Sequence, residues 1–215
     1  MPGPRAHPSA PLVLLALAAG WLLPSAPCVG QSIVAAQPGA PSTMAAALAE
    51  ANRDFTFAGE PINPRAVHDL LPWRSDALPG PVAVDVEGAR RSRRYAGEVE
   101  RGESGAVRAL VETRPGQRAE VYEYSRLGTL PGGLHVLRVT ARGTGASDGF
   151  VALLVVRFSI EREYEDEEWR ARLVMTRVAE ISLPDRYEGE ITVSSRGIAI
   201  GADRRSGTKA RTVRF

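Results

Sequence analysis

The stretch FVALLVVRFSIEREYEDEEWRARLVMTRVAEISL, from Phe150 to Leu183, decides the fold. From Trp169 onward every second residue reads Trp, Ala, Leu, Met, Arg, Ala, Ile, Leu, so seven of these eight are apolar. An apolar period of two is typical of a strand, whereas a helix repeats every 3.6 residues. A helix beginning at the acidic run would also suit the helix dipole, since arginines follow the acids. The alternation favours the strand, and we therefore predict a long hairpin at about 150–183.

The acidic run EDEE, residues 165–168, predicts the turn of this hairpin. If these four residues form the turn, paired residues have numbers that add up to 333. That register places opposite charges on one face and apolar residues on the other, and each such pair contributes about 0.2–1 kcal/mol. A shift by one residue would turn the apolar set away from the core. The predicted pairs are Tyr164–Trp169, Glu163–Arg170, Glu161–Arg172, Ile160–Leu173, Phe158–Met175, Leu154–Ala179 and Ala152–Ile181.

The same acidic run is not predicted to bind a metal ion. Consecutive carboxylates in a turn point apart, whereas a calcium site needs oxygens that converge on one point. The sequence has no Asp-x-Asp-x-Asp-Gly loop, Walker loop or dinucleotide fingerprint. We interpret the run as a solvated tip that discourages edge-to-edge aggregation, and we predict no metal and no cofactor.

The rest of the chain after position 80 also has the pattern of strands. PVAVDVE (81–87) and AVRALVETR (106–114) alternate, and glycine-rich breaks separate such segments at short spacing, as in a sandwich or barrel. Before them, NPRAVHDLL (63–71) predicts a brief helix, because Asn63 can cap it and Pro64 suits its first position. The predicted fold is all-β: an antiparallel β-sandwich or open barrel with one short N-terminal helix. YEGEITVSS and GIAIG are predicted to close it as a small hairpin.

The N-terminus has the pattern of a secretory signal. One charged residue, Arg5, precedes the apolar run LVLLALAAGWLL (12–23), and small residues follow. A membrane span needs about 20 apolar residues, which exceeds the length of this run. We predict a signal peptide over residues 1–30, with 36 as an alternative end, and no transmembrane segment in the mature chain. The protein is therefore expected to be exported, either periplasmic or secreted.

Cys28 is the only cysteine and lies inside the predicted signal. A lipid anchor through Cys28 is the less favoured alternative, because Pro27 stands where a lipobox carries a small residue. Without Cys28 the mature chain has no disulfide, no thiol nucleophile and no cysteine-based zinc site. Its core alone must then hold the fold.

Composition divides the remaining chain into three parts. Residues 31–50 are poor in charge and rich in Ala, Pro and Ser, which predicts a flexible linker with a frayed helical turn at its end. The β-sandwich domain is predicted over 51–202, and residues 203–215 are predicted to be a basic flexible tail. After the signal, 26 basic residues stand interleaved with 25 acidic ones. No nucleic-acid footprint is visible in that distribution, so no nucleic-acid partner is expected.

The most concentrated basic cluster is RRSRR, which contributes Arg90, Arg91, Arg93 and Arg94 as candidate ligand-binding residues. It is predicted to lie on a loop. Guanidinium groups bind phosphate, sulfate or uronate oxygens through paired hydrogen bonds. The cluster therefore indicates either an anion site, on a glycan or lipid, or an ordinary solvated loop.

Two further loops combine an aromatic residue with arginine. Trp73 and Arg74 lie in LPWRSD (71–76), and Arg186 and Tyr187 lie in LPDRYEGE (183–190). Each loop could offer a stacking face beside a fork of donors. Each is also explained as a strand connection, because Pro and Asp begin turns and Gly ends them.

Catalytic residues are not indicated by any motif. After the signal only His68 and His135 remain, without metal-ligand spacing, and both are interpreted as structural. No Gly-x-Ser-x-Gly elbow occurs, and a triad of Ser147, His135 and Asp148 has no more support than chance. The leading hypothesis is an exported non-catalytic module that binds an envelope protein or an anionic glycan or lipid surface. The alternative is a hydrolase acting on a glycan or ester, with paired carboxylates in a β-cleft.

Overall fold

The computed structural model describes residues 43–71, 82–95, 97–111, 120–143 and 149–215. The predicted signal peptide, Cys28, Trp73, Arg74, Ser147 and Asp148 all lie outside these ranges.

A seven-stranded antiparallel sheet, curled into a half-barrel, is the main element and confirms the all-β prediction. Its order is β3-β9-β8-β7-β6-β5-β4. Strands β4 to β9 thus lie side by side in chain order, and β3 is added at the edge next to β9. The strands are β3 (Ala83–Asp85), β4 (Val99–Arg101), β5 (Val107–Val111), β6 (Glu120–Leu130), β7 (Leu134–Gly143), β8 (Gly149–Glu165) and β9 (Glu168–Leu183).

The long hairpin β8–β9 is present, and its register near the turn is the predicted one. Tyr164 pairs with Trp169, Phe158 pairs with Met175, and the three predicted pairs between them are also found. The turn is tighter than predicted, because Glu165 and Glu168 pair and only two residues connect the strands. Asp166 and Glu167 have φ angles of 51° and 68°, the left-handed conformation that such two-residue turns require.

The two predicted pairs farthest from the turn are wrong. A β-bulge between Val155 and Val156 shifts the register by one residue, so that Leu154 pairs with Glu180 and Ala152 with Ser182. An extra residue on one strand of a pair, here Val178, is left without a partner. Val178 is consequently one of the exposed large hydrophobic residues.

Helices cover one face of the sheet. They are α1 (Met44–Asp54), α2 (Pro64–Asp69) and α3 (Val86–Arg91), with a short hairpin of β1 (Thr56–Phe57) and β2 (Glu60–Pro61) between the first two. Asn63 caps α2 by accepting a hydrogen bond from the Arg65 N–H, and Pro64 opens the helix, as predicted. Alternate β8 residues, Ala152 and Leu154 among them, point into the apolar cluster beneath these helices.

A second, three-stranded sheet covers the opposite face. It consists of β10 (Ile191–Ser194), β11 (Gly197–Ile200) and β12 (Arg211–Val213), in that order. The intervening β8 residues Val151, Leu153 and Val155 point toward it, and together with Ile198 and Ile200 they form a second apolar cluster. Apolar side chains thus fill both faces of the main sheet.

Three local predictions are corrected by the structure. Part of the predicted linker forms α1, because Thr43 caps it and Ala47 and Ala51 are fully buried. The strand predicted over 81–87 ends at Asp85, whose side chain accepts a hydrogen bond from the Gly88 N–H and starts α3. The predicted tail contributes β12, which pairs with β11. The folded domain therefore extends beyond 51–202 at both ends.

Candidate functional site

A groove of about 430 Å³ lies beside the predicted arginine cluster. Five elements enclose it: the β1–β2 hairpin, α2, α3, the 3₁₀ turn that follows α3, and the edge strand β4. Its volume falls within the range of small-molecule sites, about 300–1,000 Å³. The lining residues are Phe57, Glu60, Pro61, Ile62, Asn63, Ala66, Val86, Ala89, Arg90, Tyr95, Gly97 and Val99.

Arg90 brings a positive charge to this otherwise mainly apolar lining. It lies in the last turn of α3, and its side chain is about half exposed. Its Nε lies 3.1 Å from Oε2 of Glu60, which also lines the groove. The groove therefore combines an apolar floor with Arg90, which already pairs with an anion, the carboxylate of Glu60.

Arg91 and Arg93 lie outside the lining of the groove. Arg91 pairs with Glu87 one helical turn earlier, at 3.4 Å, and its side chain is 73 % exposed. Arg93 is exposed in the 3₁₀ turn Arg93–Tyr95, and no described residue forms an ion pair with it. Of the four predicted arginines, Arg90 alone lines this groove, and the predicted loop is instead a helix end followed by this turn.

Arg94 has a structural role. Its Nη2 lies 2.7 Å from Oδ2 of Asp69, which is 1 % exposed. The hydroxyl of Tyr95 donates to the same carboxylate at 2.9 Å. A buried carboxylate without such partners would be costly, so Arg94 and Tyr95 hold the arginine segment against α2 and fix one wall of the groove.

Replacement of Arg94 by methionine is expected to lower the free energy of unfolding by about 1–2 kcal/mol, because Asp69 loses a charged partner while staying buried. Arg93→Met is the matched control: it removes the same charge from a neighbouring exposed residue and should change stability by less than about 0.5 kcal/mol. Urea unfolding of both variants measures the difference. Equal effects would show that Asp69 does not depend on Arg94.

The second predicted loop is only partly available to a ligand. Tyr187 is fully buried in the second apolar cluster, and its hydroxyl donates to the Gly201 carbonyl at 2.8 Å. The prediction that its ring offers a stacking face is therefore corrected, since the ring is core. Arg186 lies beside it with a φ of 59°, at a second groove of about 450 Å³. That groove also contains Glu123, Glu188, Arg138 and Arg142.

The two described histidines, His68 and His135, are buried. His68 packs edge-on against Tyr122, with ring centroids 4.6 Å apart, and His135 packs in the same way against Phe55 at 5.6 Å. Within the described ranges, no three His, Cys, Asp or Glu side chains are arranged to hold a metal ion. No described helix is long and apolar enough to cross a membrane.

Comparisons with protein-family models, with curated proteins and with solved structures give no match for this chain. Its function must consequently be inferred from the side chains described above. Sequence reasoning found Arg90 but missed the groove around it. No sequence signal distinguishes the lining residues Phe57, Ile62, Ala66 and Val99 from ordinary core residues.

Proposed function

We propose that this protein is an exported, non-catalytic binding module that takes an anionic amphiphile in the groove at Arg90. The observation that carries the proposal is one guanidinium at an otherwise mainly apolar groove of ligand size. The signal-like N-terminus supports export, and the anionic lipids and glycans of a cell envelope supply ligands of this kind.

The ligand's head group would replace Glu60 as the partner of Arg90. Phosphate and carboxylate oxygens accept two parallel hydrogen bonds from a guanidinium, which gives direction as well as strength. The aliphatic part would lie against Phe57, Ile62 and Val99, where it leaves water. Apolar burial contributes about 0.8 kcal/mol for each methylene group.

Arg90→Gln is expected to weaken binding of dodecyl phosphate by about tenfold or more, because a hydrogen bond to a charged group is worth about 1.5–3 kcal/mol. Arg91→Gln, one residue away but outside the groove, should leave the affinity unchanged. Glu60→Gln should strengthen binding, since it removes the competing carboxylate. Titration calorimetry below the aggregation concentration of the lipid measures all three. Equal weakening by Arg90→Gln and Arg91→Gln would assign the effect to net charge and contradict the proposal.

A hydrolase is the second candidate, because Glu123 and Glu188 both line the second groove. Glycosidases use two carboxylates about 5–9.5 Å apart. Glu123 pairs with Arg108 at 4.0 Å and Glu188 pairs with Arg205 at 2.9 Å. Both carboxylates therefore already have partners, which favours the binding module over the hydrolase. Turnover of a chromogenic ester or glycoside that is lost in Glu123→Gln and Glu188→Gln but kept in Arg90→Gln would favour the hydrolase instead.

A further inference from the structure

The outer part of the hairpin β8–β9 projects as a two-stranded ribbon, residues 157–173. β7 pairs with β8 only over Gly149–Val156, and β3 pairs with β9 only over Val174–Thr176. Among the described strands, nothing pairs with the outer edge of β8 from Arg157 to Glu165. Nine residues of strand extend about 30 Å, which is long enough to hydrogen-bond a partner segment.

One face of this ribbon carries an apolar stripe that continues outward from the core and is interrupted by Arg162, which pairs with Ala171. It starts at the buried pair Phe158–Met175 and passes Ile160, which is 40 % exposed. It ends at Tyr164 and Trp169, which are 59 % and 69 % exposed and whose ring centroids lie 5.4 Å apart. Exposed tyrosine and tryptophan are the residues that most often dominate the energy of protein interfaces.

The other face separates its charges by strand. From its inner end outward, β8 carries Arg157, Ser159, Glu161, Glu163 and Glu165 on this face, whereas β9 carries Arg172, Arg170 and, beside the turn, Glu168. Arg172 contacts Glu163 at 2.6 Å and Asp85 at 3.4 Å, and it also donates to Glu165. The β9 arginines thus lie on the side toward β3. Beyond Arg157 and Ser159, the outer half of the free edge of β8 presents glutamates on this face, and Glu161 has no ion-pair partner among the described residues.

We infer that this free edge of β8 binds an extended segment of another protein by strand addition, and that the segment alternates basic with apolar residues. Backbone hydrogen bonds along an open edge supply affinity in this mode of recognition, and alternate side chains supply specificity. Basic residues of the segment would face the glutamates of β8. Its apolar residues would lie on the stripe formed by Ile160, Tyr164 and Trp169.

A second copy of this chain is a poorer partner for the same edge. Antiparallel self-pairing centred on Glu161, Arg162 or Glu163 places glutamate opposite glutamate in each case. Like charges directly opposite each other destabilise a strand pair. The acidic edge thus disfavours self-assembly, as charged residues do on the edge strands of other sheets. The same charges favour a basic partner.

The test uses the full chain and a labelled nine-residue peptide that alternates lysine with valine and tyrosine. A second peptide replaces each lysine by glutamate. We expect the basic peptide to bind and the acidic one not to bind, with changes in amide chemical shift along 157–165. Glu161→Lys and Trp169→Ala should each weaken binding at least tenfold, as fluorescence anisotropy would measure.

Glu103→Lys is the control, because it makes the same charge change in the exposed β4–β5 turn, at the far side of the sheet. It should leave binding unchanged. Equal weakening by Glu103→Lys and Glu161→Lys, equal binding of the two peptides, or shift changes away from β8 would each overturn the inference. Association of the chain with itself that Glu161→Lys abolishes would also overturn it, in favour of a second copy.

Discussion

Phe158→Ala is expected to lower the free energy of unfolding by about 3–5 kcal/mol, the usual cost of deleting a buried phenylalanine ring. Phe158 lies in β8 and is 5 % exposed. Its ring centroid lies 5.2 Å from that of Phe55 and 5.4 Å from that of His135, and Phe55 also meets Tyr124 at 5.4 Å. Truncation therefore removes a ring that contacts Phe55 and His135 directly and is linked to Tyr124 through Phe55.

The loss should be large because these rings join three parts of the chain. Phe55 terminates α1 in the left-handed conformation, His135 lies in β7, and Phe158 lies where the ribbon leaves the sheet. An alanine at 158 leaves a cavity that such differently constrained elements can fill only in part. The attachment of α1 to the sheet should weaken together with the core.

Ile160→Ala is the matched control, two residues farther along the same strand and on the same face. Because Ile160 is substantially exposed, its truncation should cost less than about 1 kcal/mol. Urea unfolding followed by circular dichroism measures both variants, and the melting temperature of Phe158→Ala should fall by roughly 10 °C. Similar losses at both positions would mean that the ribbon, and not the ring cluster, limits stability.

The part of the hairpin that the sequence predicted correctly is the part where side-chain alternation is strict. Between Phe158 and Trp169, charge pairs and apolar pairs fall on opposite faces in only one register. The bulge at Val178 was not predicted, because the odd-numbered positions of β9 are mostly apolar on both sides of it, so the alternation continues past it. In the structure the bulge turns these positions to opposite faces: Leu173 and Met175 belong to the first apolar cluster, and Ala179 and Ile181 pack against the second.

The helices show a similar limit. α2 was predicted because Asn63 and Pro64 form a local start signal. α3 was missed because the alternating valines around it read as a strand, whereas Asp85 turned out to be its cap. α1 was taken for linker, since its alanine-rich sequence has little amphipathic contrast, and burial of Ala47 and Ala51 comes only with the folded sheet.

For the candidate site, the sequence predicted Arg90 as a binding residue but not the groove beside it. A run of arginines indicates anion binding, but only the fold separates Arg90, at the groove, from Arg94, which is committed to Asp69. The groove itself forms only where two separate segments, 57–66 and 86–99, pack against each other. Tyr187 illustrates the opposite error: a Pro-Asp-Arg-Tyr loop reads as a surface feature, yet the ring is fully buried.

Acidification is expected to destabilise the protein through His135, in addition to the general effect of carboxylate protonation. His135 is fully buried, with Nε2 lying 3.1 Å from Oδ1 of Asn52. Burial, helped by the nearby positive charge of Arg126, lowers the pKa of His135 to about 4. A histidine in the unfolded chain has a pKa of about 6.5.

The sign of the effect follows from proton binding. Between about pH 6.5 and pH 4 the unfolded chain takes up a proton at this residue and the folded protein does not. The free energy of unfolding therefore falls as the pH decreases through this window and levels off below it. The difference between the two pKa values corresponds to about 3 kcal/mol.

Urea unfolding of the wild type and of His135→Gln, across about pH 7.5 to pH 4, isolates this contribution. Glutamine can still donate to Asn52 but does not titrate, and the carboxylates titrate in both proteins. The wild type should lose about 3 kcal/mol more than the variant over the window. If the free energy of unfolding falls equally with pH in the wild type and in His135→Gln, the folded protein accepts the proton on His135 without cost.

Asn52→Asp changes the hydrogen-bond partner of His135 and tests why protonation of the buried ring destabilises the protein. In the wild type the neutral ring donates from Nε2 to Asn52, while Nδ1 has no partner among the described residues. An added proton would therefore place a charged N–H in the core without an acceptor. A carboxylate at position 52 would pair with the imidazolium and raise the pKa of His135. The acid-dependent loss of stability should then shrink or reverse, while the imidazole ring keeps its contacts with Phe55 and Phe158.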